Sequence, residues 1–162
     1  MYFNVGYPLG FAKKGDNPVD NCIFELQNRD VKIGAFELIL WFQASSFVGE
    51  VPSDRLKSLD VLIEHGVIIK ADSNEELYEK TKDFKLIRQG LPALSGGSEP
   101  IPTISIGLTF TNLSLRQIAI WRMANGSRTL KEIYDYFKEI VSLHLFMDEI
   151  VLLKKEMLIF LI

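Results

Sequence analysis

A chain of 162 residues is one ordinary domain or two very small ones, and a formal net charge of −3 gives no global pull toward nucleic acid or an anionic membrane. Hydrophobic residues at 48% and aromatics at 11% supply enough apolar surface for a core and argue against disorder. Cys22 is the only cysteine, which excludes an internal disulfide.

The first 18 residues are punctuated by Gly6, Pro8, Gly10, Gly15 and Pro18 and lack a basic start followed by a long apolar run, so no signal peptide is read there. Val19–Gln27 alternates as a strand. Cys22, Phe24 and Leu26 share one face, and Cys22 is expected as a small buried hydrophobe. Asn28-Arg29-Asp30 turns the chain. Ala35–Ala44 (AFELILWFQA) is a helix so apolar all round that burial on most faces is predicted. Ser45–Val51 is a loop. Ser53 is the N-cap of a helix with Leu56, Leu59, Leu62 and Ile63 as its stripe and Gly66 at its C′ position. Val67–Lys70 is a short strand, and Asn74–Asp83 a charged connector helix with only Leu77 and Tyr78 to bury.

Gly90–Pro102 is the one clear composition break and reads as a linker. Ile101–Asn112 then alternates as a single half-buried strand. Leu115–Ala124 is a buried helix closed by an Asn125-Gly126 turn. Thr129 opens the next helix with Glu132 three residues on, a capping box. Leu145–Lys155 is a third helix. Met157–Ile162 (MLIFLI) is a terminal strand, too short and too close to Lys154-Lys155-Glu156 to span a bilayer.

Two halves can be overlaid. Trp41 and Trp121 are 80 residues apart, as are Ala44 and Ala124, and the later strands match at an offset of 90. The order strand, Trp helix, helix, strand occurs twice, with ten more residues inside the second copy, about one short helix. The expected fold is therefore α+β, two winged helix-turn-helix-like repeats, each a small β-sheet with two or three helices. Residues 1–90 form a shortened first repeat with the connector helix and residues 91–162 the second.

The segment Trp121–Ile133 (WRMANGSRTLKEI) resembles the peptide-chaperone family of pyrroloquinoline-quinone synthesis, whose winged-helix-like domain also recognises leader peptides of modified peptides. The shared pattern is Trp121, Asn125-Gly126, Arg128-Thr129 and Glu132-Ile133. The resemblance covers about a dozen residues, and the chain departs from the family in carrying two copies and a strand after the last helix. It implies peptide binding by strand addition at a sheet edge.

Catalytic chemistry finds no foothold. His65 and His144 each lie near a helix end among apolar residues, without partner ligands at metal or acid–base spacing. Gly96-Gly97-Ser98 lacks the lysine and the setting of a phosphate loop. A non-enzymatic module is expected, cytoplasmic, with no cofactor, no metal and no membrane partner. It would recognise a protein or peptide through a basic rim of Arg116, Arg122, Arg128 and Lys131, while Met157–Ile162 must be covered, by the chain itself as the first expectation or else as a homodimer or partner edge. The alternative is a winged-helix DNA-binding transcriptional regulator, disfavoured because the candidate groove helices mix Asp54, Asp60, Glu64, Asp148, Glu149 and Glu156 with their few cations.

Overall fold

The computed structural model describes residues 1–11, 21–44, 53–94 and 101–162. It is an α+β protein that divides into two compact units. The first comprises Met1–Lys80 with Leu161–Ile162, and the second Thr81–Phe160.

In the first unit, β1 (Tyr2–Asn4) pairs antiparallel with β5 (Ile68–Lys70). A separate meander is formed by β2 (Tyr7–Phe11), β3 (Asn21–Leu26) and β4 (Arg29–Gly34) in that spatial order. The β3–β4 turn sits at Gln27 and Asn28, both at positive φ (48° and 64°), as a two-residue hairpin requires. Helix α1 (Ala35–Gln43) follows β4 directly, then α2 (Ser53–Glu64) and α3 (Asn74–Thr81). Alternation along β3 puts Cys22, Phe24 and Leu26 in the core, where the Phe24 ring meets Trp41 edge-on at 4.8 Å. The predicted loop Ser45–Val51 lies outside the described residues.

The second unit has a similar order, with β10 and α5 placed between its first helix and the helix before its last strand, and with no counterpart of α3 among the described residues. Strand β6 (Lys85–Arg88) leads into a meander of β7 (Leu91–Leu94), β8 (Pro102–Ile106) and β9 (Thr109–Asn112), in that spatial order. Then come α4 (Leu115–Met123), β10 (Asn125–Thr129), α5 (Leu130–Phe137), α6 (Leu143–Lys155) and β11 (Ile159–Leu161). A second sheet has the order β10-β6-β11. Capping boxes start α4 (Ser114, Gln117) and α5 (Thr129, Glu132).

Four expectations need correction. Leu91–Leu94, inside the expected linker, is a strand paired with β8, and the unit boundary falls at Lys80–Thr81 because β6 belongs to the second unit's sheet. The single strand predicted over Ile101–Asn112 is a hairpin, bent at Gly107 with φ +59°. Its alternation is real, but the chain reverses half-way, so Ile104 is buried while Leu108 is exposed at the turn. Asn125-Gly126 begins a strand, with Asn125 opposite Ile87. Finally, α1 is buried only along Leu40 and Trp41, and Phe36, Ile39 and Phe42 are exposed.

The same hydrogen bonds recur in both units. Trp41 Nε1 donates to the Val5 carbonyl at 2.8 Å, and Trp121 Nε1 to the Gln89 carbonyl at 2.8 Å. Val5 N donates to Val67 O and Gln89 N to Leu158 O, while Val67 N donates to Leu62 O and Leu158 N to Leu153 O. Each tryptophan acceptor precedes a glycine at positive φ, Gly6 at 89° and Gly90 at 85°. These bonds equate Val67 with Leu158, one residue beyond the spacing read from sequence matching. Lys154 thereby stands where the first unit has Ile63, since Gly66 N donates to Ile63 O and Met157 N to Lys154 O.

Candidate functional site

Among the described residues the outer edge of β9 has no partner strand, because β9 is last in the order β7-β8-β9. Beside it runs the C-terminal half of α6. Together they border an open groove of about 420 Å³ lined by Thr109–Leu113, Gln117, Leu152, Leu153, Glu156 and Leu158. The floor is apolar, since Leu153 and Leu158 are buried. Phe110 and Leu152 stand exposed at its walls and Glu156 supplies a carboxylate. Alternation in β9 and the helical spacing of Leu152 and Glu156 put these groups on facing surfaces.

The first unit has a groove in the corresponding place, lined by Arg29, Asp30, Val31, Lys32, Glu64 and His65 and also about 420 Å³. Its chemistry differs. Four of these six residues carry formal charge, and Arg29 Nη2 donates to the His65 carbonyl at 3.4 Å, tying β4 to the end of α2. The groove of the second unit carries one charged side chain, Glu156, and the neutral polar Thr109, Thr111, Asn112 and Gln117 among its apolar residues.

The predicted basic residues of the second unit each meet a different neighbour. Arg116 pairs with Glu149 of α6 at 3.7 Å. Arg122 borders an apolar hollow of about 300 Å³ lined with Pro92, Ala93, Pro102, Thr103, Leu115 and Ile118. Arg128 lies over the Tyr136 ring at 5.5 Å, and the Lys131 backbone N–H donates to Lys82 O. His65 ends α2, whereas His144 lies in the first turn of α6, 3.6 Å from Asp148. Among the described residues, no group of three or more His, Cys, Asp or Glu is placed to hold a metal ion. Cys22 is buried, as an apolar residue would be.

One buried charge stands out. Lys154 faces inward from α6 with its Nζ 4.5 Å from the centroid of the Phe160 ring, and burial pulls its ammonium from the usual lysine range down to about 7. The candidate dimer edge turns inward as well. Leu158, Ile159, Phe160 and Leu161 are all buried, β11 pairs with β6, and Leu161 O accepts from Gly6 N at 2.6 Å. Met157 and Ile162, at the two ends of the segment, are half-buried.

The sequence does not reveal the groove, since β8 and β9 read as one strand and nothing places that strand beside α6. The available signal was Gly107-Leu108, a turn dipeptide inside the alternating run. No helix among the described residues is long and apolar enough to cross a membrane. Comparison with protein-family models, curated proteins and solved structures gives no match to this chain.

Proposed function

We propose that this chain is a non-enzymatic peptide-binding module of winged-helix type, in which an extended segment of a partner adds as a strand to β9 and lies against α6. The observation that supports this reading is a strand edge with no partner strand among the described residues, beside a groove of mixed apolar and polar lining. An open edge supplies backbone donors and acceptors to any sequence, and the groove selects side chains at alternate positions. The preferred segment would carry apolar residues facing Leu152 and Leu153 and a lysine or arginine reaching Glu156.

The order α4–β10–α5–α6–β11, with β6 as the central strand of the sheet, supports the winged-helix description. In a DNA-binding relative of that design, α6 would enter the major groove. Here α6 presents Asp148, Leu152 and Glu156 beside the exposed Lys155, with Glu149 mostly covered and paired to Arg116, a mixed surface with little net attraction for phosphate.

The test is selection of a random decapeptide library on the full chain, followed by amide chemical-shift mapping with the enriched peptides. Shifts concentrated in Thr109–Leu113 and Leu152–Leu158, with slowed amide exchange along β9, are the expected result. Shifts elsewhere would sink the reading, as would tight duplex-DNA binding with steep salt dependence.

A further inference from the structure

Helix α1 carries an apolar face that its own unit does not cover. Leu40 and Trp41 point inward, while Phe36, Ile39 and Phe42 are 52%, 54% and 45% exposed along the opposite side. The second unit shows what the fold itself requires there. Trp41 and Trp121 make the same indole hydrogen bond, so the helices align residue by residue, and Phe36, Ile39 and Phe42 correspond to Arg116, Ala119 and Arg122. Arg116 and Arg122 are exposed. The helix therefore folds and caps its sheet with arginines on this face; Phe42 touches the Trp41 ring edge-on at 5.0 Å yet stays 45% exposed, and Phe36 and Ile39 are more exposed still.

We infer that the exposed face of α1 is a self-association surface, on which a second copy of this chain docks its own α1 antiparallel. Two features choose a second copy as the occupant. The stripe reads Phe-x-x-Ile-x-x-Phe in both directions about Ile39. A two-fold axis through Ile39 thus levels Phe36 of each copy with Phe42 of the other and sets Ile39 against its own equivalent, as an isologous interface demands. Antiparallel helices also oppose their dipoles favourably.

Area is the second feature. A phenylalanine carries roughly 150–250 Å² of surface, so the half-exposed stripe leaves on the order of 300 Å² per copy and about 600 Å² in a pair. Since somewhat over half of an interface is apolar, this matches a total of about 1,000 Å², the threshold of a specific contact. The dimer is accordingly weak and concentration-dependent. Gln43, held by Arg55 Nη1 at 3.0 Å, forms a polar border at the C-terminal end of the stripe.

Sedimentation velocity on the full chain over about 1–300 µM should show a reversible monomer–dimer equilibrium. The double variant Phe36→Arg/Phe42→Arg, which copies the second unit's arginines, should stay monomeric throughout while keeping its helical circular dichroism. A wild-type chain monomeric at the highest concentration overturns the inference, and so does a folded double variant that still dimerises. If the double variant fails to fold, Ile39→Cys decides. Mild oxidation should give a disulfide-linked dimer in high yield, with Leu108→Cys, exposed at the β8–β9 turn, as the negative control. No excess cross-linking at position 39 overturns the inference. Peptide binding at the β9–α6 groove is read separately and stands or falls alone.

Discussion

Trp121 donates its indole N–H to the Gln89 carbonyl at 2.8 Å, one residue before Gly90 turns the chain at φ +85°. Trp41 makes the same bond to Val5 before Gly6, and adds a second to Val67 O at 3.1 Å. The tryptophan is thus a polar clamp as well as an apolar anchor, tying a helix to the strand crossing that precedes each meander. Replacing Trp121 by Phe should lower stability by roughly 1–3 kcal/mol, because the Gln89 carbonyl loses its indole donor. Trp41→Phe should cost more, since two buried carbonyls lose the same donor. The midpoints of urea unfolding curves measure both.

Gly90 and Gly107 both sit at positive φ, yet only one is crowded. A Cβ at Gly90 would lie 2.5 Å from Ile104 Cγ2 and 2.7 Å from the Ser105 carbonyl, whereas one at Gly107 meets nothing within 4 Å. Gly107→Ala should cost about 1 kcal/mol for the left-handed backbone alone. Gly90→Ala must add displacement of the β8 backbone, and a loss of roughly 3 kcal/mol or more is expected. Thermal unfolding of the two variants side by side separates conformational strain from steric contact.

Lys154 makes stability depend on pH in a defined direction. Its ammonium titrates at about 7 in the folded chain and at the usual lysine value near 10.5 in the unfolded one. Between those values the unfolded chain binds more protons, so stability rises with pH across that window. Below about 7 the full cost of burial is present, and above about 10.5 it is gone. The slope is about 1.4 kcal/mol per pH unit at its steepest. Lys154→Met should remove this slope and stabilise the chain most at pH 6. Denaturant titrations of both proteins at pH 6 and pH 9 test it, and equal pH dependence in the two would contradict the assignment.

Leu152 is exposed on the groove side of α6, so its replacement should spare the fold and strike the site. Leu152→Glu is expected to weaken binding of a selected peptide at least tenfold while changing the unfolding midpoint by less than about 0.5 kcal/mol. Isothermal titration calorimetry of variant and wild type measures the difference. Binding unchanged by this substitution would place the peptide somewhere other than the β9–α6 groove.

The local signals in the amino-acid sequence carried far. The capping box at Thr129 and Glu132, the C′ glycine at Gly66, the two tryptophan helices and the strand at Cys22–Leu26 all follow from short-range backbone and side-chain chemistry, and the structure shows each of them. So does the α+β class. Pairing partners were out of reach, because alternation specifies a strand without saying where it reverses or what lies beside it. Hence β8 and β9 read as one strand, β7 as part of a linker, and Asn125-Gly126 as a turn although it opens a strand opposite β6.

Exposure was decided only by the tertiary structure. The residues of α1 are almost uniformly apolar, and nothing in AFELILWFQ distinguishes the face that packs on β3 from the face that carries Phe36, Ile39 and Phe42 outward. Likewise, the composition of MLIFLI says that it must be covered but not by what; Leu158, Ile159, Phe160 and Leu161 are buried within the chain. Composition determines how much apolar surface a chain must bury. Which of it stays uncovered, and therefore available to a partner, depends on contacts between segments far apart in sequence.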